Sequence, residues 1–279
     1  MRRALFPLVC VILASCAVAS GSKDGCGGIQ VSSQVSQAKA IVIGETHGTQ
    51  EVPRAAGDVV CQLAQKGAHA VLVVEMPRDD QLAIDKYLDS EGSPGERTAL
   101  LKGRFWSRPD DMQDGRSSEA MFELLERIRT LRKSGRDVSV LAIDLPRMRP
   151  PHLSSGDYMS RRSELMGAYW LSKWDSTVKY VAIIGSAHAV KNPGVTPRGP
   201  TVASVVGANA ISLLTLHRGG TSWMCLSGRT CQSNELAESY GEKALDSTIQ
   251  LTPTKGYDGV FYVGPSSASQ PAKATHDHQ

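Results

Sequence analysis

Short hydrophobic runs recur along the chain, and four of them are followed closely by ionisable residues. They are Ala40–Ile43 before Glu45 and His47, Val71–Val74 before Glu75, Val138–Ile143 before Asp144, and Tyr180–Ile184 before His188. Each run is rich in Val and Ile and apolar at nearly every position, which is typical of parallel strands buried on both faces. Parallel strands end at one edge of a sheet, and open α/β sheets bind ligands there. We therefore expect these five ionisable side chains to converge.

The segments between the runs favour helices. Helices are predicted from about Val52 to Gly67, over Asp79–Ser90, from Ser117 or Ser118 to Gly135, and over Asp157–Asp175 and Thr201–Val206. Later strands are predicted at Ile211–Leu216, Ser222–Leu226 and Val260–Val263. This alternation predicts one α/β domain over residues 37–265, with a mostly parallel central sheet flanked by helices. Residues 91–117 show no regular pattern and are long enough to form a lid over the site.

Both ends of the chain depart from this pattern. Arg2 and Arg3 precede the apolar run Ala4–Leu13, which is too short to span a bilayer, so residues 1–15 are predicted to be a signal peptide. Residues 16–36 have the composition of a tether, and residues 266–279 that of a disordered tail. No other apolar segment is long enough to cross a membrane.

Two processing routes fit the signal peptide. Leu13–Cys16 resembles a bacterial lipobox, in which Cys16 becomes the lipidated first residue, whereas Ala17–Ala19 resembles an ordinary cleavage site. The first route predicts a lipid-anchored protein of the cell envelope that faces the periplasm. The second predicts a soluble protein that is periplasmic or secreted.

Export changes the interpretation of the cysteines. In an oxidising compartment, Cys225 and Cys231 are predicted to form a local disulfide, and Cys26 and Cys61 a second one that pins the N-terminal segment. Zinc is the competing interpretation, but the chain has no C-x-x-C pair.

The overall charge gives no case for nucleic acid as a partner. The formal net charge is +3, and loss of Arg2 and Arg3 with the signal peptide leaves about +1. Nothing in the sequence indicates an oligomeric state. The predicted partners are therefore a small molecule and, if Cys16 is lipidated, a membrane.

The residues expected at the sheet edge are those that activate water. We predict His47 as the base, Glu45 and Glu75 as the groups that orient it, and His188 as the group that polarises the substrate or protonates the leaving group. Arg54 is a further candidate, because a cation in the first turn of a helix opposes the helix dipole unless it serves another purpose. An exposed arginine without a role is the alternative. Substrate-binding candidates are Trp106, Asp114, Arg116 and Asp144.

The same residues suit other chemistry. Glu45, His47, Glu75 and His188 could instead hold a divalent metal such as Zn²⁺ or Mn²⁺. A covalent acyl-enzyme is not favoured, since no serine or cysteine lies in a G-x-S-x-G elbow.

At these residues the chain resembles a superfamily that groups erythromycin esterase-like hydrolases, Tiki/TraB-type proteins and ChaN-like haem-uptake lipoproteins. The resemblance rests on Gly44–Glu51, on Val74–Pro77 and on Gly185–Ala189, in the family's order. It implies that Glu45, His47, Glu75 and His188 are the functional set. In the esterase branch a histidine activates water for attack on an ester, assisted by an arginine in the first helix, and Arg54 approximately fits that position.

The resemblance also implies an alternative to catalysis. Members of the ChaN-like branch bind haem at the membrane surface, and Asp157–Met159 resembles a short block of that branch. A haem- or iron-binding protein would need a His or Met axial ligand and an apolar face, to which Phe105, Trp106 and Met112 could contribute. The chain is shorter than the esterases and has one residue fewer between Glu45 and His47, which argues against macrolide hydrolysis itself.

Overall fold

Eight strands form one sheet in the computed structural model, which describes residues 25–29, 31–146, 155–192, 194, 199–226, 230–241 and 244–273. The strands are β1 (Ala40–Glu45), β2 (Ala70–Pro77), β3 (Val138–Asp144), β4 (Lys179–Gly185), β5 (Ala210–Cys225), β6 (Cys231–Glu238), β7 (Thr248–Gln250) and β8 (Gly259–Ser266). Their order is β3-β2-β4-β1-β5-β8-β7, with β6 paired to β5. All neighbours from β3 to β8 in this order are parallel, while β6 and β7 add antiparallel edges. The predicted fold class is confirmed.

Helices cover both faces of this sheet. They are α1 (Ser33–Gln37), α2 (Glu51–Gln65), α3 (Gln81–Asp89), α4 (Pro94–Leu101), α5 (Glu119–Lys133), α6 (Ser155–Ser172), α7 (Ser186–Ala189) and α8 (Val202–Val206). Alternate strand residues point to opposite faces. Ile41 and Ile43 therefore join the core under α2, α3 and α5, whereas Val42 joins the core under α6 and α8.

One long strand replaces the two that were predicted between Ile211 and Leu226. β5 runs through Gly219 and Gly220, which both have positive φ angles, 70° and 110°, and its pairing with β8 shifts register there. A Cβ at Gly220 would lie 2.0 Å from the carbonyl oxygen of Ser266. The glycines therefore permit a bulge within the strand rather than ending it.

The insertion over residues 91–117 is neither wholly irregular nor simply a lid. Its first part forms α4, which begins with a capping box between Ser93 and Glu96. Phe105 and Trp106 follow, and both are buried in the core beneath the sheet. The sequence contained the capping signal, but the burial of the aromatic pair depends on tertiary packing.

Parts of the predicted tether and tail pack against the domain. Cys26 and Val35 are buried, the latter within α1. At the other end, the nitrogen of Ser269 donates to the oxygen of Gly48 at 2.8 Å, and that of Ala272 to the oxygen of Ser117 at 3.0 Å. The prediction of disorder is therefore wrong for residues 266–273, because this segment ties two loops of the domain together. The predicted signal peptide, Cys16 and residues 274–279 lie outside the described part.

Both predicted disulfides are present, Cys26–Cys61 and Cys225–Cys231. Stable disulfides are typical of oxidising compartments, so they indicate an extracellular or periplasmic location. Among the residues that the structure describes, no helix has the length and apolarity needed to cross a membrane.

Candidate active site

Four neighbouring strands bring the predicted cluster together. β3, β2, β4 and β1 lie side by side, and their carboxyl ends carry Asp144, Glu75, His188 and Glu45 in that order. His188 lies in α7, which directly follows β4. Glu75 lies where the pairing of β2 with β3 shifts register, between Val74 and Pro77. The cluster therefore arises from the parallel sheet, as the hydrophobic runs predicted.

His47 and Glu45 form a hydrogen-bonded pair at the end of β1. His47 Nδ1 lies 2.9 Å from Glu45 Oε1, and His47 Nε2 lies 3.7 Å from Glu75 Oε2. A carboxylate only accepts hydrogen bonds, so Nδ1 donates to Glu45 and Nε2 keeps its lone pair in the neutral ring. Burial lowers the pKa of His47, but the hydrogen bond with Glu45 and the charges of Glu75 and Glu45 outweigh it, and the net pKa is raised above 6.5.

Two glycines allow this pair to fit. A Cβ at Gly185 would lie 2.9 Å from His47 Nε2, so only a glycine leaves that nitrogen accessible. Gly48 has a φ of 75°, and a Cβ there would lie 2.0 Å from the carbonyl oxygen of Trp223. The turn after β1 therefore requires glycine on both conformational and steric grounds.

Two buried arginines hold the remaining carboxylates. Arg116 Nη1 lies 3.1 Å from Glu75 Oε1 and 3.0 Å from Asp144 Oδ2. Arg162 Nη2 donates to the same two oxygens, at 2.7 Å for Glu75, and its Nε donates to Asp144 Oδ1 at 2.7 Å. Arg116 also makes a bidentate pair with Asp114. Burial raises the pKa of Glu75, but the histidines and arginines around it hold that pKa well below 4.5.

The partners of His188 fix its protonation state. Arg162 Nη1 lies 3.0 Å from His188 Nε2, and Ser163 Oγ lies 2.7 Å from His188 Nδ1. A guanidinium has no acceptor, so Nε2 must accept and the proton must be on Nδ1, which donates to Ser163. Burial and the charge of Arg162 lower the pKa of His188, whereas the charge of Glu75 raises it, and the net pKa is below 6.5. His188 is therefore a neutral support for Arg162, and its predicted role as a proton donor is not compatible with this arrangement.

The same contacts decide how well a metal would fit. The lone pairs of Glu75 and Asp144 are engaged by guanidinium groups, and that of His188 Nε2 by Arg162. Within the described ranges, no group of three or more His, Cys, Asp or Glu side chains is arranged to hold a metal ion. The predicted set for Zn²⁺ or Mn²⁺ is brought together, but its geometry suits arginine rather than a metal.

Two predicted residues lie away from the cluster. Arg54 is exposed on α2, where it lines a small hollow of about 110 Å³ together with Glu51 and Asp58. The three residues are spaced at i, i+3 and i+7, which places them on one face of the helix. Trp106 is 1% exposed and packs in the core. Arg54 therefore does not serve the sheet edge, and Trp106 cannot contact a substrate or the face of a haem.

Sequence reasoning missed Arg162 and Ser163, which lie on α6 rather than at a strand end. Arg162 precedes Met166 by four residues and Trp170 by eight, and both of those side chains are fully buried. A charged residue on the core-facing stripe of a helix indicates a buried ion pair. That signal was present in the sequence and could have identified Arg162.

A cavity of about 450 Å³ opens over this arrangement. Its lining includes Glu45, His47, Glu75, Arg116 and Arg162. Met224 and Cys225 also line the cavity, so the Cys225–Cys231 disulfide borders the site. The volume is within the usual range for small-molecule sites.

The fold and site define an α/β protein with a histidine–carboxylate–arginine cluster at the carboxyl edge of a parallel sheet. No protein-family model matches the chain, and characterised protein sequences give no match either. Among solved structures, erythromycin esterase EreC in an open conformation is similar over 87% of this chain and 94% of its own, with a TM-score of 0.59 and 12% identity. A protein from Bacillus cereus is similar over 85% of this chain and 90% of its own, with a TM-score of 0.52 and 12% identity.

A haem-binding protein, ChaN of Campylobacter jejuni, is a more distant match. It covers 81% of this chain and 88% of its own, with a TM-score of 0.42 and 13% identity. The similarities to EreC and to the Bacillus cereus protein show a shared fold and leave function to the site itself. The similarity to EreC confirms the predicted α/β fold class.

Proposed function

We propose that the protein is an exported hydrolase in which His47 activates a water molecule for attack on an ester or amide. The observation that carries the proposal is the Glu45–His47 pair in the wall of the 450 Å³ cavity. The Nδ1 atom of His47 is hydrogen-bonded to the Glu45 carboxylate, and its Nε2 atom keeps the lone pair that a general base needs. The raised pKa of His47 makes that nitrogen a stronger proton acceptor.

In the proposed reaction, the water oxygen bonds to the carbonyl carbon while His47 Nε2 takes one of its protons. The carbonyl oxygen becomes an oxyanion. When the electron pair returns, the bond to the leaving alcohol or amine breaks, and that group takes the proton from His47. Glu45 acts through Oε1, which accepts from His47 Nδ1 at 2.9 Å and so keeps Nε2 unprotonated and directed at the water.

The arginines supply the charge that stabilises the oxyanion. Each guanidinium has five N–H groups. In both Arg116 and Arg162, contacts within the described part of the chain account for all but one of them. The remaining N–H of either residue can donate to the oxyanion from a fixed position, which is the arrangement that lowers the barrier most.

A panel of p-nitrophenyl esters and lactones tests the proposal. Replacement of a general base lowers the rate by roughly 10²–10⁴-fold, so His47→Ala should lose that much activity. His69→Ala is the matched control, because His69 precedes β2 at the opposite end of the sheet. The panel is run with and without added Zn²⁺ and Mn²⁺. No turnover of any substrate, or equal loss in both variants, would contradict the proposal.

Haem binding is the competing hypothesis, and titration with haem tests it. His47 Nε2 is the imidazole nitrogen that faces the cavity with its lone pair, so it is the axial ligand that haem binding would require. A Soret shift in the wild type that His47→Ala abolishes would favour a haem protein. A hydrolase predicts no shift at micromolar protein.

Export by the lipoprotein route is part of the proposal. It is supported by the two disulfides and by the Leu13–Cys16 sequence. A Cys16→Ser variant should lose lipid labelling and leave the membrane fraction. If it fractionates like the wild type and its mature N-terminus is Ser20, the protein is a soluble export product.

A further inference from the structure

Three backbone segments meet where the turn that carries His47 passes the loop that carries Arg116. Gly48 directly follows the proposed base, and Gly115 directly precedes the arginine. A Cβ at Gly115 would lie 2.5 Å from the nitrogen of Gly48 and 2.6 Å from the carbonyl oxygen of Trp223. The two loops and the end of β5 are therefore in direct backbone contact, with no room for a side chain between them.

Trp223 binds both loops through separate donors. Its backbone nitrogen donates to the carbonyl oxygen of Gly48 at 2.9 Å, and its indole Nε1 donates to the carbonyl oxygen of Gln113 at 2.9 Å. Gln113 lies three residues before Arg116 and is 2% exposed, so solvent has little access to this second bond. One residue therefore links the turn of the base to the loop of the arginine.

The antiparallel edge of the sheet keeps Trp223 in place. Trp223 pairs with Ser233 of β6, and two residues later the Cys225–Cys231 disulfide joins the same two strands. Met224 and Cys225, which line the reaction cavity, directly follow it. Trp223 is therefore a fixed element of the sheet from which both loops are positioned.

The C-terminal segment supports the same two loops, but through its backbone. Ser269 N donates to the carbonyl oxygen of Gly48, and Ala272 N donates to that of Ser117. A substitution at Trp223 leaves these bonds in place, together with its own backbone bond to Gly48. Loss of the indole N–H therefore isolates one contribution, the bond to the loop that carries the arginine.

We propose that Trp223 is a positioning residue, whose indole N–H holds the loop of Arg116 where that arginine can donate to the oxyanion beside His47. This role deepens the proposed function, on which it rests, because an N–H of Arg116 is one of the donors proposed for the oxyanion. The carboxylates around Arg116 orient its guanidinium, whereas the indole positions the backbone from which the side chain extends. A donor acts only from the correct distance, and a misplacement of about 1 Å is enough to slow a reaction strongly.

Two replacements of Trp223 separate the hydrogen bond from the packing of the ring. Trp223→Phe removes the N–H and part of the ring, whereas the synthetic analogue β-(3-benzothienyl)alanine exchanges the N–H for sulfur at nearly the same volume. With p-nitrophenyl esters, kcat should fall about tenfold in both proteins, less than the roughly 10²–10³-fold cost of an absent oxyanion donor, because Arg116 keeps its carboxylate partners. KM should change little, since the lost interaction acts mainly in the transition state.

Trp174→Phe is the matched control. Trp174 is also half-buried, but it precedes β4 at the opposite end of the sheet, so its replacement should leave kcat unchanged. The Tm of each protein is recorded. If Trp223→Phe does not fold, the analogue decides, because it keeps the volume of the ring.

Amide hydrogen exchange measures the position of the loop without any substrate. The nitrogen of Gln113 donates to the carbonyl oxygen of Asp110 at 3.1 Å, so its exchange reports local opening of the loop. Loss of one neutral hydrogen bond should accelerate this exchange by about two- to tenfold in both Trp223 proteins. Trp174→Phe should not accelerate it, even where the Tm falls by as much.

The outcomes are distinct. If exchange at Gln113 accelerates as expected but no protein turns over any ester, the hold of the indole on this loop stands and the hydrolase proposal fails. If esters are hydrolysed and kcat is unchanged in both Trp223 proteins, the hydrolase proposal stands and the positioning role is wrong. Full activity of the benzothienyl protein, or an equal loss in Trp174→Phe, would also overturn the role, since packing or stability alone would then explain the loss.

Discussion

Replacing His188 separates a supporting role from a catalytic one. In the structure, His188 Nε2 accepts a hydrogen bond from Arg162 and Nδ1 donates to Ser163. A glutamine can keep the first of these, because its carbonyl oxygen can lie near the position of Nε2. We therefore expect Arg162 to keep its position in His188→Gln. His188→Ala removes the hydrogen-bond acceptor of Arg162 and leaves a cavity.

The magnitudes follow from the bonds that each variant loses. His188→Gln loses the neutral hydrogen bond to Ser163, which should lower the free energy of unfolding by about 0.5–1.5 kcal/mol. His188→Ala loses that bond, the charged bond to Arg162 of about 1.5–3 kcal/mol, and the packing of a side chain that is 4% exposed. We expect kcat to fall less than about tenfold in His188→Gln. It should fall about 10²–10³-fold in His188→Ala, as when an oxyanion donor is misplaced.

Denaturant unfolding and ester kinetics over a range of pH measure these effects. A general acid would make the two variants equally inactive and would remove the alkaline limb of the pH profile in both. Equal losses of about 10²–10⁴-fold would therefore refute the supporting role. Nitrogen NMR provides an independent check, because the neutral ring should carry its proton on Nδ1. The lowered pKa of His188 also implies that wild-type stability falls as the pH drops below 6.5, and this component should be absent in His188→Gln.

Three further predictions concern the neighbours of His47. Gly185→Ala should leave stability nearly unchanged, since Gly185 has a φ of −54°, but should abolish most activity because its Cβ would lie 2.9 Å from His47 Nε2. Glu45→Gln should lower the raised pKa of His47, so the acidic limb of kcat/KM should move to lower pH while the maximal rate falls. Ending the chain after Ser266 should lower both Tm and kcat, because the lost segment binds the Gly48 turn, whereas ending it after Lys273 should change neither. Unfolding of Gly185→Ala, an unshifted pH profile in Glu45→Gln, or equal effects of the two truncations would contradict the respective prediction.

The hydrophobic runs predicted the sheet and much of the site because buried parallel strands are encoded locally. A strand that is apolar on both faces ends close to where the chain meets polar residues, and Glu75 and Asp144 lie at or within two residues of the ends of β2 and β3. Parallel pairing then brings these ends to one edge regardless of the length of the connections. The strand-end rule does not reach the arginines, because Arg116 comes from an insertion and Arg162 from a helix. Arg162 is indicated instead by a different local signal, a charge on the buried stripe of α6.

The errors also have physical causes. Arg54 was assigned to the site from the helix dipole, whose effect of about 0.3–1 kcal/mol is too small to fix a side chain. Trp106 was assigned to a ligand because it lies in an apparently irregular segment, whereas its large apolar surface is buried in the core. Weak local preferences were outweighed in both places by the packing of the whole domain.

In the proposed reaction, Arg116 and Arg162 perform the electrostatic task that a divalent ion performs in metal-dependent hydrolases. Glu75 and Asp144 are each contacted by both Arg116 and Arg162, so these carboxylates position fixed cations. A guanidinium cannot turn bound water into a nucleophile as a metal does. The proposed reaction therefore needs a side chain to take the proton, and His47 is the histidine of the described cavity lining whose lone pair is not engaged by another residue.

The burial of these charges links stability to function at the two arginines and at the carboxylates that they contact. Removing one partner of a buried ion pair leaves an uncompensated charge and costs about 3–5 kcal/mol. Arg162→Ala or Asp144→Ala should therefore lose both stability and activity. His47 lies at the cavity surface with 23% of its side chain exposed, and its replacement should lower activity with little change in stability. The proposed base can thus be replaced without unfolding the domain, whereas the arginines and their carboxylates are constrained by the fold itself.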